Sequence, residues 1–307
     1  MRHSDIVNQG IIDLLKQDGR ISNKKIAQSL GVSEPTVAAR IRALQASNTI
    51  RVVAQRSLHK TSESASIAML ELYVDDPKAI KGVGLELRKC DAIISAFETS
   101  RRPEVIAFCF AESPAALNRT ILALVRRIPY LRQMNTLPLL SVGETYSFHA
   151  NLRVPRPQRT PSSDLGDRLL ALLEDDGRQS VRMLANKLGL SETAVRARLA
   201  KLRRRPGIRI GVVHDSISLG YGITIDLRLT IEPAHLETAI RGLCKRPGVE
   251  AIAHLAGEKN LLAFVILKSI DDGDQFIEQE IRPLKGLLDF SMTRVRNVIK
   301  HNYNILL

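Results

Sequence analysis

Two segments of the sequence concentrate positive charge in a way that suits a polyanionic partner. Residues 176–213 contain ten Lys or Arg against two acids, and residues 18–55 contain six against two. Guanidinium and ammonium groups bind phosphate oxygens, and Arg also pairs bidentately with guanine in the major groove of DNA. The 307-residue chain carries a net charge of +13. Charge alone leaves open a scattered, solvated set of basic residues, but its concentration in these segments favours double-stranded DNA. Few aromatic residues argue against a single-strand binder that stacks bases.

The two basic segments are copies of each other. Aligned without a gap at an offset of 158, they are identical at 15 of 38 positions and share D-G-R, L-G-x-S-E and I-R. A repeated unit of about 150 residues therefore indicates duplication and fusion. Between the units, residues 153–163 read RVPRPQRTPSS, with three prolines and three arginines. This composition predicts an extended linker, with a short strand as the alternative.

The first third of each unit has the pattern of three helices and a strand. In the first copy Ser22 is a helix cap for residues 23–30, and Gly31 to Ser33 form a turn into a third helix. Val37, Ile41 and Leu44 lie at helical spacing there, and a strand follows from Ile50. The second copy repeats this with helix 181–188, a helix carrying Val195, Leu199 and Leu202, and strand 208–213. Two short helices joined by a glycine-containing turn are typical of a helix-turn-helix.

The rest of each unit reads strand, helix, strand, strand, helix, strand. The first copy has strands near 67–74, 92–98, 105–110 and 131–140 and helices near 77–88 and 114–127. The second has strands near 223–231, 249–256, 261–267 and 287–298 and helices near 234–245 and 274–284. This βαββαβ order is that of a ferredoxin-like domain. The predicted fold class is α+β, with two winged helix-turn-helix domains and two ferredoxin-like domains in tandem. The expected boundaries are 1–56, 57–152, 153–163 for the linker, 164–214 and 215–307.

These features together resemble the Lrp/AsnC (feast/famine) family of regulators. The residues that carry the resemblance are D-G-R-x-S, L-G-x-S, the Arg40 and Arg42 pair, the I-R before the wing, and L-G-Y-G at residues 219–222. The resemblance implies a sequence-specific DNA-binding transcriptional regulator, modulated by a small effector such as an amino acid. Members typically have one such unit per chain and dimerise through their sheets. This chain is similar to a tandem fusion of two, and we expect homo-oligomers through the ferredoxin-like domains.

A helix that reads DNA keeps one face apolar and turns the other to the major groove. At 100° per residue, Pro35, Ala39 and Arg42 point away from the first core stripe, and Thr193, Ala197 and Arg204 from the second. Ser33 and Ser191 are expected to cap these helices and to contact phosphate. Arg40 and Arg198 fit either packing or a phosphate contact. The candidate DNA-binding residues are Ser33, Pro35, Thr36, Ala39, Arg40, Arg42, Arg51, Ser191, Thr193, Arg196, Ala197, Arg198, Arg203, Arg204 and Arg209.

In the resembled family the effector lies near a glycine-containing loop of pattern G-x-x-D between the second and third sheet strands. The second copy has Gly257, Glu258, Lys259 and Asn260 at this place, with Asn for Asp. Gly257, Glu258 and Asn260 are the candidate effector-binding residues, and a simple hairpin turn is the alternative. The first copy has no glycine in residues 99–103, which puts its effector site in doubt.

The sequence has no motif of a metal site, a cofactor site or a motif-marked enzyme. The seven histidines have no H-x-x-x-H spacing, and His254 is interpreted as a core or interface residue. Sirohaem decarboxylases resemble the same architecture and provide the enzymatic alternative, with residues 208–214 similar to their wing. A pure assembly module is a third reading. Three cysteines, an odd number, fit a reducing cytosol, and the absence of a signal sequence or an apolar run of membrane length predicts a cytoplasmic protein.

Overall fold

The computed structural model describes residues 3–57, 65–143, 149–150, 164–215 and 218–306. The predicted linker at 153–163 lies outside the described residues. The described chain divides into two compact units. One comprises residues 3–57, 164–215, 218–219 and 303–306, and the other comprises 65–143, 149–150 and 220–302. Each compact unit therefore contains segments from both repeats.

The helices are α1 His3–Gln17, α2 Asn23–Leu30, α3 Glu34–Ala46, α4 Ile80–Lys89, α5 Pro114–Val125, α6 Leu165–Asp175, α7 Val181–Leu188, α8 Glu192–Arg204, α9 Pro233–Leu243 and α10 Ile270–Phe276. The strands are β1 Ile50–Ser57, β2 Ser66–Val74, β3 Ile93–Thr99, β4 Val105–Ala111, β5 Leu131–Val142, β6 His149–Ala150, β7 Ile208–Asp215, β8 Ile223–Ile231, β9 Val249–Leu255, β10 Leu261–Leu267, β11 Leu287–His301 and β12 Ile305–Leu306. A 3-10 turn at Pro77–Ala79 precedes α4, and a π-helical segment at Ile277–Ile281 continues α10.

The first unit contains both helix-turn-helix segments. One apolar cluster includes Ile11 and Val37 from the first copy and Leu173 and Val195 from the second, all fully buried. The wing strands β1 and β7 pair antiparallel with each other, and β12 runs parallel to β1 on its other side. Both copies therefore share one core and one sheet.

The pairing of β1 with β7 relates the two copies by an approximate two-fold. Val53 lies opposite Gly211, and these two residues are equivalent at the repeat offset of 158. On either side of it, Val52 pairs with Val212 and Ala54 with Ile210. The second pair is the first with the two copies interchanged, since Val52 is equivalent to Ile210 and Ala54 to Val212 at that offset. An isologous contact of this kind is the usual geometry of a homodimer, here formed within one chain.

The second unit is a closed eight-stranded barrel with strand order β10-β8-β11-β3-β4-β2-β5-β9. The first copy provides β3-β4-β2-β5 and the second provides β9-β10-β8-β11, which is the ferredoxin-like order in each, so that prediction is confirmed. The two sheets join edge to edge, where β11 pairs with β3 and β5 pairs with β9. Each sheet packs on its own helices through one apolar cluster.

Several predicted element bounds need correction. The helix predicted near 274–284 begins at Ile270, because the Ser269 hydroxyl accepts a hydrogen bond from the Asp272 N–H and the Asp272 carboxylate accepts one from the Ser269 N–H. It then widens into the π-helical segment. The short strands β6 and β12 had no counterpart in the prediction. No helix in the described part of the chain has the length and apolar character needed to cross a bilayer.

Candidate nucleic-acid interface

The turns that place the two candidate reading helices, α3 and α8, are built alike. Gly31 and Gly189 end the preceding helices with φ of 66° and 67°, a left-handed conformation that glycine adopts without steric cost. Ser33 accepts a hydrogen bond from the Thr36 N–H at 3.2 Å, and Ser191 accepts one from the Ala194 N–H at 3.2 Å. Each serine therefore fixes the first turn of its helix, as the sequence indicates.

The helix α3 buries its predicted apolar stripe and exposes the opposite face. Val37 is fully buried and Ile41 nearly so, whereas Pro35, Ala39 and Arg42 are exposed and Thr36 is half-buried. Within α3, whose residues are all described, Arg42 is the only exposed cation. This surface is small and close to neutral, so a groove could approach the helix backbone closely.

The helix α8 has the same architecture with a different surface. Val195, Leu199 and Leu202 are buried. Thr193 and Ala197 are exposed, and so are the cations Arg196, Lys201, Arg203, Arg204 and the following Arg205. Cations at the end of a helix also interact favourably with its dipole. The outward face of α8 is thus a dense cationic surface of this unit.

Two of the exposed arginines contact acids. Arg196 lies 3.2 Å from Glu192 one turn earlier in α8. Arg203 reaches across to the first copy, with its Nη2 2.8 Å from Oδ2 of Asp18. Both pairs are solvent-exposed, and exposed pairs contribute about 0–1 kcal/mol each. A phosphate can therefore displace either carboxylate at low cost.

Arg40 and Arg198 are half-buried beside the apolar stripe of their helices. Nη1 of Arg40 donates to Oδ1 of Asn8 on α1 at 3.1 Å, and Nη1 of Arg198 is 3.5 Å from the carbonyl of Ala194. The Arg40 contact joins α3 to α1, whereas the Arg198 contact lies within α8 itself.

Arg51 and Arg209, at the start of the wing strands, are also half-buried. Arg51 donates to the Tyr303 hydroxyl at 3.1 Å and to Oδ1 of Asn48 at 3.2 Å. Arg209 donates to the carbonyl of Lys16 at the end of α1. Both guanidiniums thus have partners inside the unit, and their phosphate contacts stay a prediction.

A pair of arginines that is not among the predicted site residues joins the two copies. Arg20 donates to the carbonyls of Gly177 and Gln179, and Arg178 donates to those of Gly19 and Ile21 at 2.9 Å and to Oδ1 of Asn23 at 2.8 Å. Burial lowers the pKa of both groups, and the charge of Arg178 lowers the pKa of Arg20 further. The signal for this reciprocal pair was the D-G-R shared by both repeats.

The glycine of each D-G-R approaches the partner copy closely. The Gly19 N–H donates to the Ile210 carbonyl at 3.0 Å, and the Gly177 N–H donates to the equivalent Val52 carbonyl at 2.7 Å. A Cβ at Gly19 would lie 2.9 Å from the Ile210 oxygen. Any side chain there would separate the copies, so the motif is explained by their contact and not by DNA.

The candidate effector loop, between β9 and β10 in the second unit, is held by hydrogen bonds to β8. The Asn260 amide accepts from the Ile231 N–H at 2.9 Å and donates to the Ile231 carbonyl at 2.7 Å. The Glu258 carbonyl accepts from Thr230 at 3.1 Å. Gly257 and Glu258 are exposed. Asn260 therefore holds the loop in shape, and the exposed part of the loop is what a ligand would meet.

Inside the barrel, charged groups of the two copies meet. Arg228 on β8 contacts Glu71 on β2 and lies 2.9 Å from Asp226. Asn135 donates to Glu71 at 2.8 Å, and Tyr73 does so at 3.2 Å. Burial raises the pKa of Asp226 to about 8 and lowers that of Arg228 to about 10. Burial thus opposes the charge of both groups, and the contacts of Arg228 with Glu71 and Asp226 offset part of that cost.

The histidines give no metal centre in the described part of the chain, where no group of three or more His, Cys, Asp and Glu is arranged to hold an ion. His254 is half-buried on β9. His301 packs against Phe97 with ring centroids 6.2 Å apart, and burial lowers its pKa to about 4. His301 is therefore neutral near pH 7 and packs against an aromatic ring.

Comparison with known families finds the model of the AsnC-type helix-turn-helix domain at residues 5–45 and again at 163–203. The model of the Lrp/AsnC ligand binding domain matches residues 224–305. Together these matches cover just over half of the chain. Both candidate reading helices lie within or at the end of a matched helix-turn-helix.

Among curated relatives, an HTH-type transcriptional regulator of Pyrococcus horikoshii is 24% identical over 153 residues, covering 50% of this chain and 97% of the relative. The HTH-type transcriptional regulator Ptr1 of Methanocaldococcus jannaschii is 29% identical over 136 residues, covering 43% of this chain and 90% of Ptr1. The crystal structure of the siroheme decarboxylase NirDL superposes with a TM-score of 0.68 at 15% identity, covering 96% of this chain and 92% of NirDL. That last likeness concerns the fold alone.

Proposed function

The chain belongs to the Lrp/AsnC family and is a transcriptional regulator of that type, and we propose that it binds double-stranded DNA through α3 and α8 as a pair built into one chain. The observation that carries the proposal is the surface of these helices. Each buries its apolar stripe and exposes a face of small residues and arginine. Small residues such as Ala39 and Ala197 let the helix approach base edges, and arginines bind guanine or phosphate.

The two reading helices are related by the approximate two-fold at Val53 and Gly211, so they address inverted half-sites. Their surfaces differ, with Pro35, Ala39 and Arg42 on one and Thr193, Ala197 and Arg204 on the other. A homodimer reads a palindrome because its halves are identical. We infer that this chain prefers an asymmetric operator, in which the half-site under α8 provides most of the phosphate contacts.

The second ferredoxin-like domain is the proposed effector domain, and the proposed ligand class is an amino acid. Gly257 and Glu258 present an exposed turn, and Asn260 holds its base. Backbone N–H groups at such a turn suit a carboxylate, and an acidic side chain suits an ammonium group. The match to the Lrp/AsnC ligand binding domain covers residues 224–305, and it therefore supports an effector site in the second ferredoxin-like domain. A cytoplasmic location follows from the DNA partner.

A sirohaem-decarboxylase activity is the second candidate, because the fold of NirDL extends over nearly the whole chain. The outward charge of α8 favours the regulator, since a tetrapyrrole enzyme has no need of four exposed cations on that helix. We therefore propose that the chain is not an enzyme. Incubation with sirohaem under reducing and oxidising conditions, with mass spectrometry of the tetrapyrrole, tests this; loss of carboxyl groups would overturn the proposal.

The DNA proposal is tested with Arg196→Ala/Arg204→Ala and a mixed-sequence duplex over a salt series. Each phosphate contact contributes a slope of about −0.9 to the log–log salt dependence, so the slope should fall by about 2 and affinity at about 100 mM salt by roughly ten- to hundred-fold. The matched control is Arg241→Ala/Arg282→Ala, which removes two exposed arginines of the second ferredoxin-like domain, each paired with a Glu one turn away as Arg196 is. Equal binding by all three proteins would contradict the assigned surface.

A further inference from the structure

A cleft of about 240 Å³ lies in the first unit, where the end of α1 meets the end of α8 and the start of β7. Its surface is mostly polar, and its polar lining residues are Gln17, Asp18, Arg203 and Arg209. Its apolar lining residues are Leu202, Ile208 and Ile210. Pockets for drug-sized ligands have volumes of about 300–1,000 Å³, so this one suits a smaller molecule. We call it the α1–α8 cleft.

One arginine of the α1–α8 cleft is held only by an exposed ion pair between the two copies. Nη2 of Arg203 lies 2.8 Å from Oδ2 of Asp18, and the two side chains are 52% and 41% exposed. Oδ1 of Asp18 accepts from the Arg20 N–H at 2.9 Å, so Oδ2 is the oxygen that serves Arg203. Because exposed ion pairs contribute little to stability, a ligand carboxylate can take Arg203 from Asp18 at low cost.

The second arginine of the α1–α8 cleft is fixed in position. Arg209 donates to the Lys16 carbonyl at the end of α1. Its guanidinium carbon lies 3.2 Å from the place that a Cβ on Gly211 would occupy, and the equivalent residue of β1 is Val53. Glycine therefore lets the guanidinium lie close against its own strand. A cation that is ordered in advance reduces the entropic cost of binding a ligand.

The charge around the α1–α8 cleft is positive. Two arginines line it against the single carboxylate of Asp18. Arg20 lies close enough to respond to this charge. Burial is the largest cause that lowers its pKa, and the charges of Arg178 and Arg203 lower that pKa further. An anion is therefore the kind of ligand that the cleft favours.

The equivalent place on the other side of the approximate two-fold has the opposite balance. At the repeat offset of 158, Gln45 stands in place of Arg203 and Asp175 in place of Gln17. That place therefore has one arginine, Arg51, against two carboxylates. The features that favour an anion thus belong to one side of the chain and are not a property of the repeated fold.

We propose that the α1–α8 cleft binds a small hydroxy acid, a molecule with one carboxylate and several hydroxyl groups. The carboxylate pairs with Arg203 beside the fixed Arg209, since guanidinium groups bind carboxylates through parallel hydrogen bonds. Oδ2 of Asp18, released from Arg203, accepts from a ligand hydroxyl, and the Gln17 amide donates and accepts. An acid without hydroxyl groups would leave these two side chains unused.

A ligand in this cleft would occupy Arg203 at the end of α8, where we also predict a contact with DNA. Bound hydroxy acid should therefore weaken the DNA affinity of the α8 half. This consequence rests on the proposed DNA binding, whereas the ligand site itself does not.

The test is isothermal titration calorimetry of the full chain without DNA, with D-glycerate and D-gluconate as a short and a long hydroxy acid. D-Glucitol lacks the carboxylate and hexanoate lacks the hydroxyl groups, so each should bind at least about ten-fold more weakly than D-gluconate. Arg203→Gln, which introduces the residue of the first copy, should weaken the hydroxy acid at least about ten-fold. Arg205→Gln is the matched control, because it removes a neighbouring exposed arginine outside the lining residues and should leave binding unchanged.

Four results would overturn the proposal. Neither hydroxy acid binds wild type with a Kd below about 1 mM. Hexanoate or inorganic phosphate binds as tightly as D-gluconate, which indicates a general anion contact. Arg203→Gln binds like wild type, which places the ligand elsewhere, for example at the Gly257 loop. Arg203→Gln and Arg205→Gln weaken binding equally, which indicates an effect of net charge alone. Circular dichroism melting confirms that both variants are folded, and without DNA a failure here leaves the proposed DNA binding to its own test.

Discussion

The two helix-turn-helix copies retain the residues that build the fold and differ in those that face outward. The capping serines, the left-handed glycines and the D-G-R are the same in both, and they perform the same structural task in each. By contrast α3 exposes one cation and α8 exposes four. Duplication within one chain releases the outward positions from symmetry, because a change in one copy is not imposed on the other.

The same divergence occurs inside the barrel. Glu71 is the sixth residue of the nine-residue β2, and Arg228 is the sixth residue of the nine-residue β8. In a dimer of identical units this position would place like charges close together, whereas here it holds an acid against a base. An internal ion pair across the pseudo-symmetry therefore requires two copies that have become different.

The largest effect is expected from breaking that ion pair. Arg228→Met leaves Glu71 and Asp226 buried without their cation, and removing one partner of a buried pair costs about 3–5 kcal/mol in the free energy of unfolding. Chemical denaturation measures the loss. Adding Glu71→Gln and Asp226→Asn should restore most of it, because no uncompensated charge then remains. A triple variant no more stable than Arg228→Met would mean that packing of the Arg228 side chain matters more than its charge.

The reciprocal arginines test whether the two copies still contact each other symmetrically. Arg20→Ala and Arg178→Ala each remove charge-assisted bonds to partner carbonyls, and each should lower the free energy of unfolding by about 1.5–3 kcal/mol. Arg178 makes the extra bond to Asn23, so its loss should be equal or greater. Thermal and denaturant unfolding of both variants decide this. A large effect from one and none from the other would reject the two-fold inferred from β1 and β7.

How far the sequence predicts this fold depends on the range of the interactions. The helices 23–30 and 181–188 and the strands 223–231 and 261–267 have the predicted bounds, because serine caps, glycine stops and apolar runs are local signals. The start of α10 was wrong, since the capping box at Ser269 and Asp272 was overlooked. The strand β12 has only Ile305 and Leu306, too few for any pattern, and it exists because β1 has an edge to pair with.

The candidate site, like the fold, was predictable only where local sequence signals determine it. Spacing alone indicated which side of α3 and α8 faces outward, since burial of Val37 and Val195 fixes the rotation of each helix. It did not reveal that Arg40, Arg51 and Arg209 have partners within the unit, because Asn8, Tyr303 and Lys16 are distant in sequence from them or carry no motif. The role of Arg20 and Arg178 likewise depends on a contact between residues more than 150 positions apart.

Grafting part of the α8 surface onto α3 should reduce the difference between the two reading helices. Residues equivalent to Thr193, Arg196 and Arg204 are introduced as Pro35→Thr, Ala38→Arg and Ala46→Arg. Two added phosphate or base contacts should raise affinity about ten-fold and steepen the salt slope by about 2. Selection from random DNA should return asymmetric sites for wild type and less asymmetric sites for the graft. Perfect palindromes from the wild-type chain would refute the asymmetric operator.

The smallest effect should come from the contact between Asp18 and Arg203, which has no equivalent on the other side because the repeat places uncharged Gln45 at the position of Arg203. Asp18→Asn keeps an oxygen for the turn, where Oδ1 accepts from the Arg20 N–H at 2.9 Å, but removes the carboxylate from Arg203. Since an exposed pair contributes under about 1 kcal/mol, DNA affinity should rise about two- to five-fold. Asp176→Asn is the matched control, because Asp176 forms the same turn with Arg178 at 2.8 Å. Anisotropy titrations that show the same gain for both variants would mean that the loss of negative charge, and not the release of Arg203, is responsible.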